Sequence, residues 1–412
     1  MKRYLIIIIM LSAGILAAGT YTLEDMINAG LNNSYGIRQK QIMLKNANLN
    51  VTSAAWNLLP DADVNFRRTN TDENYNNSGS FTVSRSVTLN EPTVFNYKLA
   101  RLDKTIAQFD WQQTKKEIVY GILSSWLDIA QLQKEISIRT ANLAVLTKIK
   151  DQSVLQQRLG QRTSFDVNQS EINVINAQLI ISDLKNQLAA KRADLFYRVK
   201  LQDDGSELEV SQDSLSTFNL DFTNDIEEPI LIKKLKQDMH KTKLDKLQQK
   251  IGLLPTLSVA GSYSQYSLTQ DVLDFDNYDD TYTLSLNLSW SLWSPFNKGS
   301  NYAQIRNSLT LKQWQYEDSQ SSLLIDKANL KREWLYLSES LDLNKRKAAQ
   351  AQINLRYAQE KYNLGTLSLI ELDQARIDAL DAELAVNKIT YQLQKKIEEW
   401  NLLNSLPILN KY

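Results

Sequence analysis

The chain has no cysteine, one histidine, 12 glycines and 6 prolines in 412 residues. Without cysteine there is no disulfide, thiolate nucleophile or Cys-ligated metal. The single histidine, His240, lies in a Lys-rich helical stretch and reads as a solvated side chain rather than a catalytic one. A net charge of +0, from 47 basic and 47 acidic residues, gives no electrostatic footprint for nucleic acid. No Gly-rich phosphate loop, His cluster or nucleophile elbow is present, so neither an enzyme, a cofactor nor a resident metal is expected. No Gly/Ser- or Pro-rich linker divides the chain, which points to one body. After the N-terminal segment no apolar run reaches the roughly 18 residues of a transmembrane helix.

That N-terminal segment has its own pattern. Lys2 and Arg3 precede an apolar run from Leu5 to Leu16, and the small residues Ala17, Ala18 and Gly19 follow. This is the layout of a cleaved secretory signal over 1–19; the competing reading, a retained anchor, needs a longer run. With no Cys after the cleavage site, lipid attachment there is excluded. The expectation is an exported chain whose membrane crossing, if any, is made by strands.

The rest of the sequence carries one plan twice. Leu58, Leu59 and Pro60 recur 195 residues later as Leu253, Leu254 and Pro255, and "LGQRTSFDVNQ" from Leu159 recurs 205 residues later as "LGTLSLIELDQ" from Leu364. The unequal offsets place the extra residues in loops. The reading is therefore a first repeat over 20–198 with strands at about 61–69 and 80–90, and a connecting segment over 199–224. A second repeat follows over 225–401 with strands at about 256–269 and 281–292, then a C-terminal tail over 402–412.

Proline-free stretches between Pro92 and Pro229 and between Pro295 and Pro407 predict very long helices, including one from about Thr93 to Gln157. Thr22 followed by Asp25 predicts an N-cap for a helix running to about Trp56. In the returning helices, Ala177, Ile181, Leu184, Leu188 and Leu195 form one seam. Ala375, Ala379, Ala382, Val386, Ile389, Leu393 and Trp400 form another, at coiled-coil spacing. Ile172, Ile175 and Leu179 add a second stripe and so a second neighbour; an antiparallel bundle within one chain is equally compatible with this periodicity.

The hairpins alternate with period two. From Tyr282 to Leu292 every even position is apolar, and the odd positions are Thr, Ser or Asn. Leu257, Val259, Gly261 and Tyr263 give a partner strand; Phe81, Val83, Val87 and Leu89, with Arg85 interrupting, and Ala62, Val64 and Phe66 give the other pair. A wet face that is almost uncharged Ser, Thr and Asn suits a lumen, and Trp290, Trp293, Phe296 and Tyr302 suit an interfacial girdle. The competing reading is a soluble half-buried sheet. Four strands cannot close a barrel, so a spanning chain has to oligomerise. Asp271, Asp274, Asp276, Asp279 and Asp280 crowd the second hairpin tip without the spacing of a Ca²⁺ loop, and read, like Thr69 to Ser80, as an outward-facing surface loop.

The opening "TLEDMINAGLNNS", the paired "LLP" before each hairpin and the twin "LG" turns between long helices resemble the TolC family of outer-membrane efflux proteins, in order, from about Thr22 to Trp400. The resemblance implies a mainly α fold with a small β part. Duplicated long-helix hairpins would form an α-helical tunnel, and four strands per chain would contribute to a barrel of twelve strands in a homotrimer. It further implies a channel in the cell outer membrane that extends into the periplasm and conducts passively. Its partners would be outer-membrane lipid, a periplasmic adaptor (membrane fusion) protein and an inner-membrane RND or ABC transporter, within a tripartite efflux pump or a type I secretion system. The alternative is a periplasmic adaptor-like coiled-coil scaffold without a membrane barrel.

Site residues follow the family's tip pattern one by one. Gly160, Arg162, Thr163, Asp166 and Val167 match it in the first turn. Tyr362, Gly365, Thr366 and Glu371 match in the second, where Leu367 stands in place of an Arg and Gln374 in place of an acid. Gate candidates are thus Asp166, Glu371, Arg162 and Tyr362. Adaptor-docking candidates are Leu159, Gly160, Thr163, Leu364, Gly365 and Thr366. Asp166 or Glu371 forms either a threefold carboxylate ring at a constriction or a solvated acid at a helix start.

Overall fold

A computed structural model describes residues 20–71, 74–88, 91–209, 228–267, 279–290 and 293–411. The signal segment, most of the connecting segment and Asp271, Asp274 and Asp276 lie outside the described residues. Two helices, α1 (Leu23–Asn33) and α2 (Tyr35–Trp56), lead to strands β1 (Asp61–Thr71) and β2 (Asn74–Thr88). The chain continues into α3 (Pro92–Arg158) and α4 (Ser164–Val199). The second repeat runs α5 (Ile230–Ile251), β3 (Thr256–Ser267), β4 (Asp279–Ser289), α6 (Ser294–Asn363) and α7 (Leu369–Leu403).

The long helices start where proline permits. Pro92 and Pro295 sit in the first turns of α3 and α6, where a missing N–H costs nothing. At 67 and 70 residues these helices extend about 100 Å each. The first helix expected through to Trp56 instead breaks at Ser34, which has φ −60° and ψ 123° and caps α2 by accepting from Ile37 N. Ser and Asn compete for backbone bonds, and the Asn-Asn-Ser run is where helix propensity is weakest.

Strand order is β1-β2-β3-β4, all antiparallel, with the two hairpins joined between β2 and β3. The register Ala62↔Val83↔Tyr263↔Tyr282, with Val87↔Val259↔Leu286, places every predicted apolar set on one face. The opposite face takes Asp61, Ser84, Ser262 and Thr283 in one row and Asp63, Thr82, Ser264 and Thr281 in the next. Both faces of β4 are exposed, and Leu284 is 82% so. Arg85 breaks the apolar set at the root of the sheet: its guanidinium donates to Asn57 O at 2.9 Å and pairs with Glu91 at 3.4 Å, tying strand to helix ends. Trp290, Trp293 and Phe296 are exposed beside this root. The first hairpin corrects one expectation: pairing continues through Thr69↔Asn76 to Thr71↔Asn74, so most of the stretch read as a surface loop is ladder. Asp279 and Asp280 likewise belong to β4.

The main core lies midway along α3, at the C-terminal end of α4. Met26 and Ile27 of α1, Ile122 and Ile129 of α3 and Leu195 and Phe196 of α4 are buried together. Gly30 lets α1 close on α3, since a Cβ there would fall 2.2 Å from Ile122 Cδ1. The stretch read as a tail joins this core. Ile408 is 0% exposed within it, Lys116 Nζ donates to Leu406 O at 2.9 Å, and Ser405 Oγ accepts from Ile230 N at 2.9 Å. The buried Glu398 accepts from Leu409 N at 3.2 Å, and burial pushes its carboxyl above the usual range. α5 is stitched to α3 by Asp103–Lys241 and Asp110–Lys234, each at 2.6 Å.

Both seams are used, though not equally. In α4, Ile181, Leu184 and Leu195 are buried, whereas the second stripe, Ile172, Ile175 and Leu179, is exposed. In α7, Ala379, Ala382, Ile389, Leu393 and Trp400 are all buried, because that helix packs on both α6 and α3. Replacing Ile408 with Ala removes a fully buried side chain and is expected to cost about 2–5 kcal/mol. The denaturant midpoint of the detergent-purified protein measures this, and an unchanged midpoint would mean the tail is not part of the core.

Candidate functional site

The two helical tips are built alike. α3 ends with Gly160 in the left-handed region (φ 73°), Gly160 N donating to Gln157 O and Gln161 N to Gln156 O. α6 ends with Gly365 (φ 75°), Gly365 N donating to Tyr362 O and Thr366 N to Lys361 O. This is the glycine-terminated helix end in which crossed bonds satisfy the last carbonyls. A capping box opens each returning helix: Thr163 with Asp166 in α4, Ser368 with Glu371 in α7. Thr163 Oγ1 donates to Asp166 Oδ2 at 2.9 Å and Ser368 Oγ to Glu371 Oε2 at 2.7 Å.

The two acids are thus each tied to the start of their own helix. Hydrogen bonds from the Ser368 backbone and side chain hold the Glu371 carboxyl below the usual carboxylate range. The fold brings the tips of the two hairpins together through another pair. Arg162 Cζ sits 4.3 Å from the centre of the Tyr362 ring, and Arg162 Nε donates to Gln156 Oε1 at 3.1 Å. Tyr362 itself is buried against Ile149, Leu369 and Leu372. A cavity of about 560 Å³ lies between the tips, with Arg162, Thr163, Asp166, Tyr362 and Leu367 among its lining. Leu159 and Leu364 point outward, 64% and 78% exposed, beside the equally exposed Phe165 and Ile370.

A polar node lies further along α7, and the sequence reading passed over it. Arg376, 8% exposed, donates through Nε to Asp373 at 3.3 Å and through Nη1 to Asn142 Oδ1 of α3 at 2.8 Å. Asp373 in turn accepts from Asn173 of α4. The available signal was an Asp and an Arg flanking Ala375, next to a seam otherwise made of alanine and aliphatic residues. Among the described residues no cluster of three or more metal-binding side chains occurs, and no helix is long and apolar enough to cross a membrane.

These features define the class: a duplicated helical-hairpin body with a four-stranded sheet at one end and paired tips at the other, which is the fold of outer-membrane efflux channels. It aligns with the outer-membrane channel OprN at TM-score 0.79 and 14% identity, over 94% of this chain and 90% of that one. It aligns with CmeC of Campylobacter jejuni at 0.76 and 14%, over 93% and 85%. VceC of Vibrio cholerae gives 0.77 and 14%, over 94% and 96%. The resemblance to the TolC family holds at the level of sequence too: residues 246–402, most of the second repeat, match the sequence model of the outer membrane efflux protein family. No curated protein matches the chain. The family match and the fold together agree with the channel expectation and not with the adaptor-like alternative.

Removing the Ser368 hydroxyl (Ser368→Ala) deletes one capping box, a change worth on the order of 1 kcal/mol. Faster amide exchange confined to the first turn of α7 at neutral pH is the expected readout. The sign of the pH dependence follows from the lowered pKa of Glu371: its contribution is complete above the unfolded carboxylate value of about 4.3 and is lost as pH falls through the folded value.

Proposed function

We propose that the chain is the subunit of a passive outer-membrane channel that carries substrates from the periplasm to the exterior without bond chemistry. It serves as the outer component of a tripartite efflux pump or a type I secretion system. The observation that carries this reading is the sheet: an apolar face, an opposite face made mostly of Ser, Thr and Asn with charges such as Asp61 and Asp63 on β1, and two open edges, β1 and β4. In lipid, unpaired edges cost several kcal/mol per group, so copies of the chain close the barrel edge to edge. The resemblance to the TolC family implies a homotrimer, in which the strands number twelve and leave an aqueous bore. The exposed stripe Ile172, Ile175 and Leu179 is the surface against a sibling helix.

The tips form the periplasmic end. Leu159, Gly160, Thr163, Leu364, Gly365 and Thr366 are the docking points for a periplasmic adaptor linked to an RND or ABC transporter in the inner membrane. Arg162 and Tyr362 hold the two hairpins together there. Asp166 and Glu371 stand at the starts of α4 and α7, where threefold symmetry would repeat each carboxylate around the axis and favour cations. Planar-bilayer recordings test both levels. The purified oligomer is expected to conduct, and Asp166→Asn together with Glu371→Gln to lower its cation preference. Unchanged selectivity in the double variant would remove the gate assignment. A monomer that leaves bilayers insulating would remove the channel.

A further inference from the structure

The two open edges of the sheet carry matching patterns. Read from the root outward on the apolar face, β1 gives Ala62, Val64, Phe66 and then Arg68, and β4 gives Leu286, Leu284, Tyr282 and then Asp280. Each edge thus ends its apolar row with one charge, basic on β1 and acidic on β4, and all four strand-end side chains Phe66, Arg68, Asp280 and Tyr282 are exposed. Val64 and Phe66 are 61% exposed and Tyr282 75%, against 40% for Phe81 on an inner strand of the same face. We infer that β1 of one protomer pairs antiparallel with β4 of the next in a single register, with Val64 opposite Leu284 of the partner subunit and Arg68 clasping Asp280 of the partner subunit at the outer rim; this rests on the channel reading given above.

Side-chain alternation removes half of the registers at once. An odd shift sets the apolar row of one edge against the Ser/Thr row of the other. Among even shifts the residues decide. Prolonging the row found inside the protomer, Val64↔Phe81↔Gln265↔Asp280, sets an exposed aliphatic against a carboxylate. A stagger of two residues sets Phe66 against Asp280, one of six sets Arg68 against Tyr282, and any stagger the other way runs Val64 past the end of β4. A stagger of four matches every position: Ala62 with Leu286, Val64 with Leu284, Phe66 with Tyr282 and Arg68 with Asp280. The wet face agrees, with Asp63 opposite Ser285 and Asn65 opposite Thr283. In a homotrimer three such seams amount to one residue of stagger per strand, the proportion found in barrels whose strands tilt by about 36°. That tilt lies within the range of outer-membrane barrels. Opposite charges facing each other across strands stabilise a pair, and at the margin of the apolar band they are less screened than on an open surface.

The chain contains no cysteine, so introduced pairs report the seam without background. Residues directly opposite across an antiparallel pair have Cα atoms about 4.5–5.5 Å apart, within disulfide reach, and a two-residue slip carries them beyond about 7 Å. In the full-length protein, oxidised in its membrane, Val64→Cys with Leu284→Cys is expected to give a covalent trimer. The yield should be severalfold above that of Val64→Cys combined with Asp280→Cys, Tyr282→Cys or Leu286→Cys. Arg68→Glu is expected to lower the temperature at which the detergent-purified oligomer dissociates, and adding Asp280→Arg to restore it. Strongest cross-linking in any of the other three pairs overturns the register, as does an oligomer that cross-links in none. An Arg68→Glu oligomer as stable as the unaltered one, or a charge swap no more stable than Arg68→Glu, overturns the clasp. An unaltered chain that stays monomeric counts against the channel reading instead, which keeps the two failures apart.

Discussion

The organising constraint of this molecule is the hydrogen-bonding demand of an open sheet edge. Four antiparallel strands satisfy each other internally and leave β1 and β4 with unpaired backbone on their outer sides. In water such edges are tolerable; beside hydrocarbon they are not. The register makes the demand sharper, because it gathers the large apolar side chains named above on one face and leaves most of them exposed in the single chain, those of β4 above all. Nothing among the described residues of one protomer answers either need. The helices repeat the lesson at lower cost, with one seam of α4 buried at home and another left bare.

Much of this was legible in the sequence because it depends on periodicity. Alternation over Tyr282–Leu288 fixed a strand face without reference to its neighbours, and absence of proline fixed the long rods. The seam of α7 from Ala379 to Trp400 could be read the same way. What periodicity does not carry is pairing. The first hairpin extends to Thr71↔Asn74 through polar residues whose own propensity favours a turn, because cross-strand bonding outweighs the local preference. The break at Ser34 likewise follows from where α1 must lie on α3, at Gly30, rather than from the cap alone.

The candidate site divides along the same line. Its local parts, the two glycine turns and the two capping boxes, are short-range motifs and were readable residue by residue. Arg162 over Tyr362 joins side chains two hundred residues apart, and only the resemblance suggested it. The Arg376 node had no such guide: its partners Asn142 and Asn173 carry no pattern, and a single charged pair on an alanine-rich helix passes for surface. Duplication also misleads here, since the two returning helices share an origin and a tip motif while one is half bare and the other enclosed.

The placement of Ile408 bears on how the protomer comes into being. Its side chain completes a core begun by Met26 and Ile27, and Lys411 reaches Glu24 at 3.6 Å. Residues of α1 and residues beyond α7 therefore finish one another's packing, across a very large sequence separation. This core cannot close until the last part of the chain is available, so its packing is among the latest contacts a chain folding from its N-terminus can make.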